Sequence, residues 1–182
     1  LVEGKDVNAL PKPELRKLRK RIGMIFQQFN LFASRTVYGN IAYPLEGRRI
    51  PKGEIRQRVH ELLELVGLPD KAQAYPAQLS GGQKQRVSIA GVLAMHPKCI
   101  VLDEPTAMLD PNGRKDVIRA ARALNDVENV TIILITHYME EVVDADHVFV
   151  MDHGHVVMQG TPREIFSIGG SGTTSENTSN SV

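Results

Sequence analysis

The sequence has little cysteine, few aromatic residues and no long hydrophobic run, and each absence excludes a class of protein. Its single cysteine, Cys99, cannot form a disulfide within the chain, so we interpret it as a small buried hydrophobe in a reducing compartment. Tryptophan is absent and aromatic residues make up 5%, which argues against a surface that stacks nucleic-acid bases. No apolar stretch approaches the roughly 18 residues that a membrane-spanning helix needs.

The net charge and the N-terminal residues further restrict the class of protein to which this chain can belong. With 22 basic and 21 acidic residues, the net charge of +1 predicts no general attraction to nucleic acid or lipid. No signal peptide is recognisable, and the chain begins with Leu1 instead of methionine. We therefore expect an internal start, with part of the protein lying upstream.

Apolar runs alternate with amphipathic helical patterns over most of the chain. The runs "IGMIF", "CIVLDEP" and "VTIILIT" are typical of strands, and the last two predict strands buried on both faces. Helices are predicted in "KPELRKLRKRIG", "GEIRQRVHELLELVGL", the stretch after "LSGGQ", "NGRKDVIRAARALND" and "MEEVVDA". This alternation predicts an α/β fold with a largely parallel sheet.

The last third of the sequence predicts a hairpin, a helix and a tail. The stretch "HVFVMDHGHVVMQG" is typical of a hairpin that turns at residues 152–154. In "TPREIF", Thr161 and Glu164 have the spacing of a capping box at the start of a helix. From Ser167 onward small polar residues dominate, so we predict a disordered tail over residues 167–182.

The stretch "LSGGQKQRV" places two glycines at the predicted start of a helix. A helix start has unpaired backbone N–H groups and favours negative charge, and glycines let an anion approach those groups closely. Ser80 adds a hydroxyl and Gln83 an amide, so the stretch is a candidate phosphate cradle. An ordinary helix cap that contains Gly81 and Gly82 is the alternative.

Two acids follow the predicted strand "CIVLDEP". Asp103 and Glu104 lie at its carboxyl end, where open α/β sheets bind ligands. Adjacent carboxylates repel each other, and a divalent metal beside a phosphate is a reason to keep both. Asp103 would hold Mg²⁺ and Glu104 would polarise an attacking water; two acids on a solvated loop are the alternative.

Two further polar residues follow predicted strands at their carboxyl ends. Gln27 comes directly after "GMIF", and His137 comes after "VTIILIT". An amide can contact a metal-bound water or a phosphate, and a histidine can contact a terminal phosphate. Each residue alone indicates little, and only the set supports a nucleotide site.

The set resembles the ATP-binding cassette (ABC) ATPases from the first residues to about Phe166. "LSGGQ" is similar to their signature motif, "CIVLDE" to their Walker B motif, and "MLD", which ends at Asp110, to their D-loop. His137 resembles the switch histidine and Gln27 the Q-loop glutamine. The resemblance implies a P-loop NTPase-like core over residues 1–166, with an α-helical signature subdomain at about residues 28–95.

The resemblance also implies ATP and Mg²⁺ as cofactors and a role for each motif. Asp103 and Gln27 would serve Mg²⁺, while Glu104 and His137 would be the catalytic residues. The signature residues would close over ATP held by a second ATPase subunit in a head-to-tail dimer. The residues implied to contact nucleotide are Gln27, Ser80, Gly81, Gly82, Gln83 and Asp110.

Transmembrane permease subunits are the other partners that the resemblance implies. It places the protein in the cytoplasm, peripheral to the inner face of the cell membrane, with membrane contact only through the permease and with no nucleic-acid partner. Phe29, Phe32 and Tyr38 would suit the groove for a permease helix, and core packing is the alternative for them. The first half is similar to methionine and other amino-acid importer ATPases, and the second half to energy-coupling-factor ATPases for vitamins or metals such as cobalt.

One family motif is absent from these residues. The phosphate-binding loop G-x-x-x-x-G-K-[ST], Walker A, does not occur, and only 26 residues precede Gln27. We therefore expect the chain to begin inside the nucleotide-binding core, with strands of the sheet missing. The leading function is the ATPase subunit of an importer, and the alternative is an inactive module that supplies only its signature face to a partner ATPase.

A first prediction follows from the absent motif. The 182-residue chain on its own should bind ATP weakly and hydrolyse it negligibly, because most phosphate contacts would be missing. Phosphate release by the purified chain in the presence of Mg²⁺ measures this. Robust Mg²⁺-dependent hydrolysis would contradict the prediction.

Overall fold

A computed structural model describes Gly4 and residues 6–170, with only the backbone described for residues 168–170. The chain divides into two compact units, residues 1–136 and 137–182. The two units are therefore described separately, and the predicted domain of residues 1–166 extends over parts of both.

The first unit combines parallel strands with helices. Its strands are β1 (Ile22–Ile25), β2 (Cys99–Asp103) and β3 (Thr131–Ile135). Its helices are α1 (Lys12–Arg19), α2 (Val37–Ala42), α3 (Lys52–Leu65), α4 (Gly81–Leu93) and α5 (Pro111–Glu128). Short 3₁₀ turns lie at Val7–Ala9, Tyr43–Leu45, Pro69–Lys71 and Pro76–Gln78.

The three strands form one parallel sheet in the order β1-β2-β3. Ile25 pairs with Leu102, and Asp103 pairs with Ile135, so all three strands end at the same edge. The chain then continues into Gln27 after β1 and into Glu104 after β2. The predicted parallel α/β arrangement is confirmed, and it brings both predicted site segments to one edge.

The hydrophobic core lies between this sheet and the helices. Helix α3 shows how the sequence builds it, since its buried residues Val59, Leu62 and Leu63 recur at helical spacing on one face. Fully burying a side chain of this kind stabilises the fold by about 1.5–3 kcal/mol. The largest fully buried apolar side chains are Ile41, Leu62, Leu63, Ile89, Leu93, Ile100, Leu102 and Leu124.

The strands β2 and β3 are less buried than their sequences predict. In β2 only Ile100 and Leu102 are fully buried, and Cys99 is half-buried, which raises the pKa of its thiol. In β3, Ile133 and Ile135 are 48% and 47% exposed. The prediction of burial on both faces is wrong for β3, because within the described residues it is an edge strand with one face against the core.

The loop between β1 and α2 is organised by one buried amide. Asn40 accepts from the Phe32 N–H at 2.8 Å and donates to the carbonyl oxygens of Phe32, Arg35 and Thr36. These bonds satisfy the loop backbone where no regular structure does so. They hold Phe32 and Arg35 at the surface next to α2.

The second unit contains a hairpin. Strands β4 (Val148–Asp152) and β5 (His155–Gly160) pair antiparallel, and His153 and Gly154 form the turn with φ of 46° and 80°. Positive φ at both turn residues matches the right-handed twist of the strands, so the predicted hairpin is confirmed. Helix α6 (Pro162–Gly170) follows it.

The ends of this unit differ from the predictions at two places. The predicted helix in "MEEVVDA" is only a 3₁₀ turn, Met139–Glu141, since the aspartates that follow favour turns over helix. The Thr161–Glu164 capping box is confirmed, with the Thr161 N–H donating to Glu164 Oε2 at 2.7 Å. Helix α6 continues through residues 167–170, which were predicted to be disordered, while residues 171–182 lie outside the described residues.

None of the described helices has the length and apolar character that crossing a membrane requires.

Candidate functional site

A polar cleft lies at the carboxyl edge of the parallel sheet. Gln27, Asp103 and Glu104 line it together with Phe26, Gln28 and Asn30, and its volume is ≈ 580 Å³. Gln27 is exposed, while Asp103 and Glu104 are half-buried. The structure thus brings three of the predicted site residues into one cleft, as expected for a ligand site on an α/β sheet.

The backbone at Glu104 has an unusual conformation that the sequence did not predict. Its φ is +46°, in the left-handed region that non-glycine residues rarely occupy. The Glu104 N–H donates to the Ile135 carbonyl oxygen at 2.9 Å, which fixes the turn directly after β2. A conformation of this kind costs on the order of 1–3 kcal/mol and is concentrated at functional sites.

The donors in the cleft fit a hard divalent cation. Two carboxylates and one amide oxygen are the ligand types that Mg²⁺ takes, usually together with water and phosphate oxygens. Among the described residues, no group of three or more His, Cys, Asp or Glu side chains forms a self-sufficient metal site. Asp103 with Gln27 would therefore hold Mg²⁺ only with oxygens from water or nucleotide.

The glycine stretch forms the first turn of α4, as its sequence predicts. Ser80 is the N-cap, with its Oγ accepting from the Gln83 N–H at 3.2 Å, and Gln83 Oε1 accepting from the Ser80 N–H at 3.0 Å. This reciprocal capping box defines the turn. Ser80 is exposed, Gly81 and Gln83 are partly exposed and Gly82 is buried, so the turn is open to a second molecule at its Ser80 end.

The glycines of this turn are also required by packing. A Cβ atom at Gly82 would lie 3.0 Å from the Cα atom of Gly113 in α5, and one at Gly81 would lie 2.8 Å from Leu109 Cδ2. The first turns of α4 and α5 therefore approach each other more closely than side chains permit. Sequence reasoning missed Gly113, and it placed Leu109 in the D-loop-like segment without predicting its contact with Gly81, because only the fold brings them to the signature turn.

Asp110 and His137 are not among the residues that line the cleft. Asp110 is the N-cap of α5, where its Oδ1 accepts from the Gly113 N–H at 3.3 Å. His137 is the first residue of the second unit, is exposed, and has its ring 4.2 Å from that of Tyr138. Their contacts with nucleotide stay predictions.

The chain belongs to the ABC transporter family, because residues 1–107 match the family's sequence model. The sequence resemblance and the predicted fold are thereby confirmed. Two solved structures agree with this assignment at the level of the fold. The structure of cbiO1 from Clostridium perfringens, part of an ABC transporter complex, matches with a TM-score of 0.85 and 38% identity over 92% of this chain and 67% of that chain.

The second solved structure is an ATP-binding cassette in a dimeric post-hydrolysis state bound to ADP and Pi. It matches with a TM-score of 0.74 and 32% identity over 89% of this chain and 72% of that chain. Among curated proteins, the methionine import ATP-binding protein MetN of Corynebacterium jeikeium is 54% identical over 92% of this chain and 46% of its own length. MetN 1 of Bacillus thuringiensis is 52% identical over 91% of this chain and 49% of its own length. The chain spans about half the length of these relatives.

Proposed function

We propose that this chain acts in the ATP-binding and ATP-hydrolysing subunit of an ABC importer for a small solute. The observation that carries the proposal is the cleft in which Gln27, Asp103 and Glu104 meet at the carboxyl edge of the sheet. The similarity to methionine import proteins makes a methionine-like amino acid the first candidate solute. A vitamin or metal is the second, on the resemblance of the second half of the sequence to energy-coupling-factor ATPases.

Each residue of the cleft has a distinct chemical task in this proposal. Bound Mg²⁺ would supply charge neutralisation for the terminal phosphates. Asp103 and Gln27 offer it oxygen ligands, and Glu104 accepts a proton from the attacking water. Glu104 follows the last residue of β2, and its left-handed backbone sets the direction of the chain at that point. His137 would orient the terminal phosphate.

The signature turn would act on a second subunit. The N–H groups of Gly81 and Gly82 have no partner within α4, whereas that of Gln83 donates to Ser80 Oγ, and the exposed Ser80 hydroxyl can still donate while it caps the helix. A helix start of this kind favours a phosphate. In a head-to-tail dimer each signature turn would therefore cover the ATP held in the other subunit's cleft, with Asp110 near the shared nucleotide.

A groove beside the cleft is the proposed contact for a permease helix. Its volume is ≈ 290 Å³, and its lining includes Met24, Phe32, Tyr43 and Val92. Phe32 and Tyr43 are 45% and 46% exposed and lie edge to face at 4.7 Å. These apolar side chains suit the apolar face of a helix, and such a contact would hold the subunit at the inner face of the membrane.

Two aromatic residues expected in this groove have another role. Phe29 and Tyr38 are partly buried and pack against the hydrophobic core. Their sequence surroundings, with Asn, Ser and Gly, suggested exposure, but the Asn40 bonds fold the loop back onto α2. Tyr43 is exposed and lines the groove in which the sequence predicted Phe29 and Tyr38.

A titration of Mg²⁺ and ATP tests the proposed function. The amide signals of Gln27 and Glu104 should shift, and Asp103→Asn should remove the Mg²⁺-dependent part of the shift because an oxygen ligand loses its charge. Asp126→Asn, which changes an exposed carboxylate on α5, is the matched control and should leave the titration unchanged. Because this chain is expected to bind ATP weakly, the titration continues to high ATP concentration. Cleft signals that still do not respond to ATP with Mg²⁺ would refute the proposal.

A formed and exposed signature turn favours one alternative, an inactive module that completes a site on a partner ATPase. The distinguishing assay mixes this chain with a full-length ABC ATPase subunit in which the signature residues have been substituted. Restored hydrolysis without nucleotide binding in the cleft of this chain would favour the inactive module. Restored hydrolysis together with a responding cleft fits the importer subunit.

A further inference from the structure

Basic residues are concentrated in helix α1 and the segment that follows it. Between Asp6 and Glu46 the chain has seven basic residues and one acidic residue, Glu14, whereas the rest of the chain has more acidic than basic residues. The net charge of +1 for the whole chain therefore conceals a strongly positive segment. Such a local concentration of charge attracts polyanions even when the chain as a whole is nearly neutral.

Helix α1 directs three of these cations away from the protein. Leu18 is buried and Leu15 is partly buried, so the apolar side of the helix packs on the protein, where α1 contacts β1. On the opposite side, Lys20 follows Arg16 by four positions and Lys17 by three, which places them on one helical face. All three side chains are exposed. We call these three side chains the basic face.

The basic face lacks a counter-charge within the part of the chain that the structure describes. None of its three side chains forms an ion pair or a hydrogen bond with another described residue. Arg35, in the same positive segment, differs because its Nη1 donates to both carboxylate oxygens of Glu46 at 2.9 Å. The charge of Arg35 is therefore already neutralised, while the cations of the basic face are available to an external anion.

The basic face adjoins the groove that is proposed to contact a permease helix. Lys20 lines that groove together with Phe32 and Tyr43. A permease is a membrane protein, so the surface next to a groove that is seated on it lies near the lipid headgroups. The cytoplasmic leaflet contains anionic lipids, whose surface potential attracts clustered Lys and Arg side chains within about one Debye length.

We propose that the basic face of α1 binds the headgroups of anionic lipids beside the permease. The orientation of this face toward the membrane rests on the proposed function, and the lipid contact goes beyond it, because the sequence led us to expect membrane contact only through the permease. The leucines of α1 pack on the protein, so the contact is electrostatic and inserts no apolar side chain into the bilayer. A single contact of this kind is weak and reversible, and together with the permease it holds the subunit at the membrane.

Co-sedimentation with lipid vesicles tests the inference and needs neither ATP nor a permease. The chain should bind vesicles that contain phosphatidylcholine and phosphatidylglycerol in about equal amounts, and it should not bind vesicles of phosphatidylcholine alone. The triple variant Arg16→Gln, Lys17→Gln, Lys20→Gln should lower the partition coefficient about 10²-fold, because each cation near an anionic surface contributes roughly fivefold. High salt should also weaken binding, because the Debye length falls from about 8 Å at physiological ionic strength to about 3 Å at 1 M.

The matched control is a second triple variant, in helix α5. Lys115→Gln, Arg119→Gln and Arg122→Gln remove three exposed cations that share one helical face, and they change the net charge by the same amount. This variant should keep most of the vesicle binding, and circular dichroism shows whether both variants are folded. If the α1 triple variant does not fold, Lys17→Gln alone should still lower the partition coefficient roughly fivefold.

Three outcomes would overturn the inference. Equal losses in the two triple variants would show that net charge determines binding, without a contribution specific to the basic face. Equal binding to vesicles of phosphatidylcholine alone would indicate an apolar contact. Binding to double-stranded DNA as tight as to the anionic vesicles, at the same salt concentration, would indicate a general polyanion surface.

The vesicle assay and the titration of the cleft fail independently. Loss of the lipid contact leaves the response of the cleft to Mg²⁺ and ATP unchanged, because the basic face contributes no residue to the cleft. A cleft that does not respond refutes the proposed function, while the vesicle assay still decides whether the basic face binds anionic lipid.

Discussion

Replacing Arg58 with alanine is expected to lower the free energy of unfolding by about 2 kcal/mol, between the effect of losing an exposed ion pair and that of breaking a fully buried one. Arg58 in α3 donates to both carboxylate oxygens of Glu128 in α5, at 2.7 and 3.2 Å, and to the Leu93 carbonyl oxygen at the end of α4, at 3.3 Å. The two side chains are only 14% and 21% exposed. Without Arg58, the partly buried Glu128 carboxylate loses both of these hydrogen bonds, while the Leu93 carbonyl oxygen keeps only the bond from the His96 N–H at 2.9 Å.

Urea unfolding followed by circular dichroism measures this loss. The matched control is Arg56→Ala, an exposed arginine of the same helix, which should change the free energy of unfolding by no more than about 0.5 kcal/mol. Equal effects of the two substitutions would show that the ion pair contributes nothing beyond an ordinary surface charge.

The pH dependence gives an independent test of the same pair. The hydrogen bond from Arg58 lowers the pKa of Glu128 below its ordinary value of 4.5, and the charges of Arg58 and His96 lower it further, while burial opposes them. A carboxyl whose pKa is lower in the folded state stabilises the fold above its unfolded pKa, and loses this effect as pH falls through the folded pKa. The stability difference between the wild type and Glu128→Gln should therefore be full near neutral pH and shrink below about pH 4.5. A difference that does not vary over this acidic range would contradict the pKa shift.

The sequence predicted the elements of the site because each depends on local chemistry. The helix start at Ser80, Gly81 and Gly82 follows from a short local pattern, and the hydrophobic run before Asp103 is typical of a strand in a parallel sheet. That parallel arrangement then requires Gln27 and Glu104 to lie at the same edge. Local sequence patterns and the parallel strand arrangement were therefore sufficient to predict the position of the cleft.

The features that the sequence did not predict all depend on contacts between distant segments. Arg58 and Glu128 are separated by 70 positions, and nothing in either helical pattern pairs them. From the sequence alone, Gly113 is an ordinary glycine near a helix start. Only the fold shows that it packs against Gly82. The left-handed turn at Glu104 is likewise fixed by the Ile135 carbonyl oxygen, which belongs to the neighbouring strand.

Replacing Gly82 with alanine should lower the ATPase activity that this chain restores to a signature-deficient ABC subunit by about 10²-fold, the effect of losing one well-placed donor to a phosphoryl oxygen. The new Cβ atom would lie 3.0 Å from the Gly113 Cα atom. That neighbour is backbone in α5, so it cannot rotate away, and the first turn of α4 has to move. The amide groups that would contact the partner's terminal phosphate are then displaced.

Gly53→Ala is the control for this substitution, because it makes the same chemical change in a helix where a Cβ atom meets nothing within 4 Å. It should leave the restored activity unchanged and stabilise the chain by about 0.5–1 kcal/mol, the usual gain of alanine over glycine in a helix. Circular dichroism shows whether the Gly82 variant is folded, so that lost activity can be assigned to the turn. Full activity of a folded Gly82→Ala chain would mean that the close approach of α4 to α5 is not needed to present the signature turn, and that its glycine serves only the helix cap.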